Sequence, residues 1–224
     1  MRAFFMTATG TDIGKTYLAC GLIRAWRAQR LTVGAFKPVL SGFDPSQAAE
    51  SDAGQLLAAL DQPVSPQALD AISPWRYAAA LSPDAAAAKE GKRVEYAAVL
   101  AASRCFLDGA HDVALIEGAG GVMAPLSDDR TMLDWMADLN LPAIVVVGSY
   151  LGTLSHSLTA LEVLSARRVS VALVVMNETA GSTVPLADNA AVLAKRFPAA
   201  PVRMLPRNPS AQAMAAIAGF LSAG

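Results

Sequence analysis

Six short apolar runs punctuate the chain, at positions 2–7 (RAFFMT), 32–36 (TVGAF), 113–117 (VALIE), 143–148 (AIVVVG), 171–176 (VALVVM) and 202–205 (VRML). Several are hydrophobic throughout rather than alternating, as parallel strands covered on both faces must be. Between them apolar residues recur at helical spacing. Leu18, Leu22, Ile23 and Trp26 mark one face of a helix predicted over Lys15–Gln29; Leu154, Leu158 and Leu161 mark a second helix, and Met214, Ile217 and Leu221 a third. Strands alternating with helices predict an α/β fold: a doubly wound, mostly parallel sheet with helices on both faces and functional loops at the carboxyl ends of the strands.

The stretch 41–82 breaks this rhythm. It is rich in Ala, Asp, Gln, Ser and Pro, with a helix expected near Asp52–Leu60 and turns at Pro63, Pro66 and Pro74. Its place is expected to be over the active edge of the sheet, leaving residues 1–224 as a single domain.

Composition narrows the partners. Hydrophobic residues make up 54% of the 224 and charged residues 17%, and the formal net charge is −1. There is no global basic field to recruit nucleic acid or an acidic membrane surface, so small molecules are the expected partners. No run approaches the roughly 18 apolar residues of a membrane span, and the amino terminus lacks the pattern of a secretory leader. Cys20 and Cys105 lie far apart in helix-like stretches and are expected to be reduced and packed. A cytoplasmic location follows as the expectation.

The candidate chemistry begins in MTATGTDIGKTY, residues 6–17. A strand, a tight turn and a helix start supply the parts of a phosphate-binding loop, in which backbone N–H groups and the positive helix end face anionic oxygens. The common pattern G-x-x-x-x-G-K-[ST] would place its leading glycine at Thr9, preceded by Ala8; Gly10 and Gly14 retain positions for an unusual backbone conformation or close phosphate approach. Lys15 is suited to the β- and γ-phosphates and the Thr16 hydroxyl to Mg²⁺. These parts make the fold P-loop NTPase-like.

Other candidates sit at the same strand edge. Lys37 follows the second apolar run in AFKPVLSG; an exposed lysine is the ordinary reading of such a residue, as a turn is for Ser41. Asp52, in ESDAGQLL, suits a helix N-cap that satisfies free backbone donors at a helix start. Glu117 ends a hydrophobic strand and precedes three glycines within four residues. A carboxylate buried there needs a cation, and Mg²⁺, held by few protein oxygens together with phosphate and water, meets that need.

The ordered set TGTDIGKT, KPVLSG, SDA, IEGAGGVMAPL, LGTLSH, VMNE and LPRNP resembles the dethiobiotin synthetase family, within the broader group of P-loop amidoligases and ParA-like ATPases, over nearly the whole chain. The resemblance implies an ATP- and Mg²⁺-dependent ligase of biotin biosynthesis, with the nucleotide loop formed by Asp12, Ile13, Gly14, Lys15, Thr16 and Tyr17. It implies that Thr16, Asp52 and Glu117 organise Mg²⁺. Lys37 would be the chief catalytic lysine, assisted by Lys15 and Thr11. Thr11 and Ser41 would hydrogen-bond substrate. Gly118, Ala119 and Gly120 would meet the nucleotide, and Gly121 the substrate, through their backbones. Asn177 would read adenine, with Pro206, Arg207 and Asn208 lining the base pocket.

The implied reaction starts from 7,8-diaminononanoate. One amine captures CO₂ as a carbamate, the carbamate oxygen takes the γ-phosphoryl group of ATP, and the neighbouring amine closes a cyclic urea as phosphate leaves. Positioning and charge stabilisation carry such chemistry. Family members are homodimers in which the stretch containing Gly152 and Thr153 meets the substrate carboxylate of the opposite subunit, here through N–H groups of residues 152–155.

The chain departs from the family at Ala8, where glycine is usual, at Asp84, where histidine often follows Ser-Pro, and at Tyr150 and Ser155, where some relatives carry lysine and asparagine. His156 is expected on a helix surface or in packing, His111 facing solvent, and Trp26, Trp75 and Trp135 in packing. Two other functions compete. A related amidoligase for another carboxylate would be expected to carry a glutamine-processing domain. A ParA/MinD-like switch predicts a basic surface or an amphipathic anchor, yet the terminal SAQAMAAIAGFLSAG has no Lys or Arg.

Overall fold

A computed structural model describes residues 1–223. The chain opens with strand β1 (Arg2–Ala8) and helix α1 (Lys15–Ala28), followed by β2 (Val33–Phe36) and the short β3 (Val39–Ser41). Helices α2 (Asp52–Ala59) and α3 (Pro66–Ile72), strand β4 (Trp75–Tyr77), then α4 (Pro83–Lys89) and α5 (Tyr96–Leu107) make the central excursion. Strict alternation then returns: β5 (Val113–Glu117), α6 (Met132–Leu139), β6 (Ala143–Gly148), α7 (Thr153–Ala166), β7 (Val171–Asn177), α8 (Leu186–Arg196), β8 (Val202–Leu205) and α9 (Ala211–Ala223).

Six strands form one sheet in the order β2-β5-β1-β6-β7-β8, and every pairing is parallel. The first strand therefore lies at the centre, flanked by two strands made more than a hundred residues later. Residues of β1 are shared alternately between two cores: Phe4, Met6 and Ala8 belong to the side covered by α1, α2 and α9, and Phe5 to the side covered by α6, α7 and α8. In β6, Ile144 and Val146 face the first core, Val145 and Val147 the second. This is the physical cause of the uninterrupted apolar runs, because the inner strands have no solvent face; the edge strand β8 exposes Arg203 and Met204.

Leu18, Leu22, Ile23 and Trp26 of α1, and Met214, Ile217 and Leu221 of α9, are buried as the spacing predicts. The helix at 153–166 differs. Its buried line is Thr153, Ser157, Leu161 and Leu164, while Leu154 and Leu158 are half-buried. Pro66 does not make a turn: Ser65 caps α3 through the Ala68 N–H, and Pro66 is its first residue, where a missing N–H costs nothing. A two-stranded sheet pairs β3, at the entry to the excursion, with β4 inside it, three residues each, where the sequence pattern assigns helix and turns. Cys20 is buried but Cys105 is exposed, contrary to the expectation that both are packed. His111 is half-buried, tilted over Phe106 at 5.5 Å between ring centres and packed against Gly34, so it is not simply solvent-facing. Among the described residues no helix is long and apolar enough to cross a membrane.

Candidate active site

Sheet register assembles the site. Phe36 of β2 pairs with Ile116 of β5, so Lys37 and Glu117, one step further along each strand, emerge side by side. Met6 of β1 pairs with Glu117, which places the loop after Ala8 against the same carboxylate. Adjacent strands lie about 4.8 Å apart, so three loops of very different sequence position share one edge. Lys37 Nζ lies 2.6 Å from Glu117 Oε1 and 2.6 Å from Asp52 Oδ2. The Thr16 hydroxyl donates to the same Glu117 oxygen at 2.7 Å, and Lys15 Nζ donates to the Gly10 carbonyl at 3.2 Å.

Lys37 is therefore not a surface lysine; it is 2% exposed and Glu117 1%. Two buried cations and two carboxylates balance one another, which makes so dry a cluster tolerable. Burial lowers the Lys15 ammonium to about 8, helped by the Lys37 charge and opposed by Glu117 and Asp52. Burial would also lower Lys37, but Glu117 and Asp52 outweigh it and hold that ammonium above the usual lysine value. Burial would raise the Asp52 carboxyl; the adjacent Lys37 charge prevails and holds it below the ordinary carboxylate range. Asp52 is not the N-cap of α2. Ser51 takes that role, accepting from the Gly54 N–H, and this frees the Asp52 carboxylate at the first helical position to face Lys37.

The phosphate loop keeps its shape without the leading glycine. Ala8 is the fully buried end of β1, and Thr9 carries its N–H to the Val146 carbonyl at 3.1 Å. Gly14 has φ 103° and closes the turn before α1; a Cβ there would strike the Asn177 side chain. The second unusual conformation falls on Asp12, φ 58°, rather than on Gly10, whose surroundings would accept a side chain.

A cleft of about 1000 Å³ opens over this centre. Thr11, Asp12, Gly14, Lys15, Thr16 and Tyr17 line one wall, Lys37, Ser41 and Asp52 another, and Ala119, Gly120 and Gly121 a third. Ile13, Glu117 and Gly118 lie behind that lining. The Ile13 carbonyl accepts from the Asn177 amide at 2.9 Å, so Asn177 braces the phosphate loop with the very donor expected to read adenine. Pro206, Arg207 and Asn208 do not reach the cleft. They form the exposed turn after β8, tied by the Arg207 N–H to Glu178 at 2.7 Å. The residues that follow, Pro209 and Ser210, border a second groove of about 450 Å³ with Tyr17, Arg24 and Met214; Tyr17 belongs to both cavities and joins them.

The start of α7 is also more occupied than the sequence suggests. The Thr153 N–H donates to the Tyr150 carbonyl and the Ser155 N–H to that of Gly152, while the Thr153 hydroxyl donates to the Gly148 carbonyl at 2.7 Å. Gly152, with φ 96°, turns the chain into the helix. Neither Gly152 nor Thr153 lines the cleft, whereas His156 and Thr159 do, with His156 Nδ1 2.8 Å from the Tyr150 hydroxyl. Sequence reasoning missed Gln55 and the Leu81–Pro83 wall as well. Gln55 was detectable, one helical turn beyond Asp52; the wall depends on the β3–β4 pairing and left no local signal.

The donors suit a hard cation. Thr16, Asp52 and Glu117 present only oxygen, and Glu117 Oε2 is buried with no hydrogen-bond partner among the described residues. No group of three or more His, Cys, Asp or Glu gathers to bind metal among those residues. A hydroxyl and two carboxylates that leave coordination places for phosphate and water fit Mg²⁺ better than a metal needing a complete protein cage.

Comparison with known proteins agrees with this geometry. Residues 2–215 match a family model described as an AAA domain. The chain is 45% identical over 225 residues to the ATP-dependent dethiobiotin synthetase BioD of Phenylobacterium zucineum, covering 100% of this chain and 96% of that one. It is 50% identical over 181 residues to the enzyme of the same name from Caulobacter vibrioides, covering 80% and 81%. Among solved structures, the MinD cell division protein of Aquifex aeolicus superposes with a TM-score of 0.61 at 12% identity, over 100% of this chain and 98% of that one, a likeness of fold alone. With its P-loop, its all-parallel sheet and relatives of this identity over nearly its full length, the chain belongs to the ATP-dependent dethiobiotin synthetase family.

Proposed function

We propose that this protein uses ATP to carboxylate 7,8-diaminononanoate with CO₂ and close the ring of dethiobiotin, a step of biotin biosynthesis. One observation carries the reading: a second lysine, Lys37, is buried beside the phosphate loop at the same carboxylate that meets Thr16. A carbamate awaiting phosphorylation brings a second developing negative charge beside the phosphates and rewards a second amine.

The residues divide the work as follows. Lys15 and the N–H groups from Asp12 to Tyr17 hold the triphosphate, supported by the backbone of residues 118–120. Lys37 faces the carbamate oxygen as it takes the γ-phosphoryl group, stabilising charge on both partners. Thr11, Ser41 and the Gly121 backbone hold the diamine, and the unpaired buried Ser41 hydroxyl supports that role. The neighbouring amine then attacks the carbamate carbon, phosphate departs, and the amine's proton passes to solvent. Thr16, Asp52 and Glu117 would hold Mg²⁺, which supplies charge neutralisation at the phosphates when bound. Asn177 supports the base end of the site through the loop it braces.

The whole chain acts as one ATP-binding unit, and two free thiols suit a reducing cytoplasm. A homodimer completes the cleft. Leu81 and Met123, half-exposed apolar side chains on its lining, and the 86% exposed Leu151 at the start of α7 support an apolar partner there. The experiment is direct: purified protein with diaminononanoate, bicarbonate, Mg²⁺ and ATP yields dethiobiotin, ADP and phosphate in equal amounts. ATP hydrolysis indifferent to the diamine, with no cyclic product, would reject this reading.

A further inference from the structure

The reaction asks Lys37 to face the substrate, and asks Asp52 and Glu117 to face a metal, yet in this structure they face each other. Lys37 Nζ sits 2.6 Å from a carboxylate oxygen of each, and the Glu117 oxygen it touches is the one that accepts from Thr16. The two carboxylates assigned to Mg²⁺ thus already hold one positive charge, an ammonium, and Thr16 donates to one of the oxygens that hold it. We propose that Asp52 and Glu117 act as positioning residues for Lys37: they hold its amine at the cation site of the nucleotide-free enzyme and release it to the substrate when a divalent cation takes their oxygens.

Three observations carry this. Glu117 is 1% exposed, so its charge requires a positive partner at every stage of the cycle, and Lys37 is the side chain that supplies one here. An ammonium and a divalent cation held by the same two carboxylates repel each other, most strongly beside the buried Glu117. The lysine stem, four carbons with rotatable bonds, can move the amine while the backbone stays fixed by the Lys37 N–H to Ile72 carbonyl bond of 2.9 Å. Released, the amine has a polar neighbour in the cleft: the Ser41 hydroxyl is buried and without a partner among the described residues. Lys37 then reaches its working position only once the enzyme is loaded, which keeps a mobile charge out of the empty site.

The inference rests on the metal-holding role proposed for Thr16, Asp52 and Glu117, and its test separates the two. Mn²⁺ binding to the nucleotide-free protein is followed by electron paramagnetic resonance for the wild type, Lys37→Met and Lys15→Met. Lys15→Met removes an equal charge from the same cleft without vacating the carboxylates. Lys37→Met is expected to bind Mn²⁺ at least about tenfold more tightly than wild type and clearly more tightly than Lys15→Met, because an internal competitor is gone. Equal affinities for the two variants overturn the exchange and leave the metal site standing. Mn²⁺ bound by none of the three proteins, even with ADP, overturns the metal site and the exchange together. Should Lys37→Met fail to fold, a crystal structure of the wild type with Mg²⁺ and a non-hydrolysable ATP analogue decides: Lys37 Nζ withdrawn from the carboxylates supports the exchange, and Nζ still bridging both overturns it.

Discussion

Lys37 shows how far a residue's surroundings outweigh its type. Lysine is rarely buried, and the short motif around it gives no reason to bury this one; its position follows from Phe36 pairing with Ile116. On the catalytic role proposed for that amine, Lys37→Ala is expected to lower kcat at least about a hundredfold, the usual loss when one group stabilising transition-state charge is removed. Near-normal turnover in a steady-state assay would contradict its role. The cysteines give a second, independent check. Burial pushes the Cys20 thiol up to about 11, whereas Cys105 is exposed. At pH 8 the native protein should react with about one equivalent of an alkylating reagent, at Cys105, and take up the second only on unfolding. Rapid labelling of both thiols in the native state, located by mass spectrometry, would show that the α1 face is not sealed.

Among the elements, α6 is the one whose stability titrates most legibly. Thr131 and Asp134 form a reciprocal cap, and the Asp134 carboxylate also accepts from Arg167 at 2.7 Å. Burial would raise this carboxyl; bonds from Thr131 and Arg167 overcome that and hold it below its ordinary value. A depressed carboxyl stabilises the fold above the unfolded-state value near 4 and loses that contribution as the pH falls through the native value. Asp134→Asn should therefore cost about 1 kcal/mol at pH 7 by denaturant unfolding, with the gap closing below about pH 4. The six strands of the main sheet and helices α1, α2 and α9 were legible because a strand covered on both faces tolerates few polar residues, and α1 and α9 repeat their buried positions. The three-residue strands β3 and β4 were not, since so short a run carries no period. The cap of α2 misled for a different reason: Ser51 and Asp52 are both good caps, and only the folded chain decides which oxygen turns inward. In the site, Lys15, Thr16 and Glu117 could be read from motif and strand end. Asn177 took a different partner, His156 reached the cleft, and the 206–208 turn stayed outside it, because loop-to-loop distances have no trace in local sequence.

At the scale of the whole molecule, apolar side chains on and around the cleft support the homodimer proposed above. Sedimentation at micromolar concentration should give about twice the mass of 23.2 kDa, and Leu151→Glu should shift it toward the monomer while leaving the far-ultraviolet circular dichroism unchanged; a wild type that stays monomeric would refute the pairing. The sheet order has a further consequence, for the birth of the chain. The central strand emerges first, and neither neighbour exists until residues 113–117 and 143–148 have been made. Glu117 leaves the ribosome 80 residues after the lysine it neutralises. A nascent chain shorter than this has a greasy strand with nothing to pair with and an amine with no acid, so most of the sheet must assemble late, through distant contacts that close slowly. Strand order therefore predicts that the chain benefits from shielding while it is synthesised, and that stalled or truncated products ending before β5 aggregate.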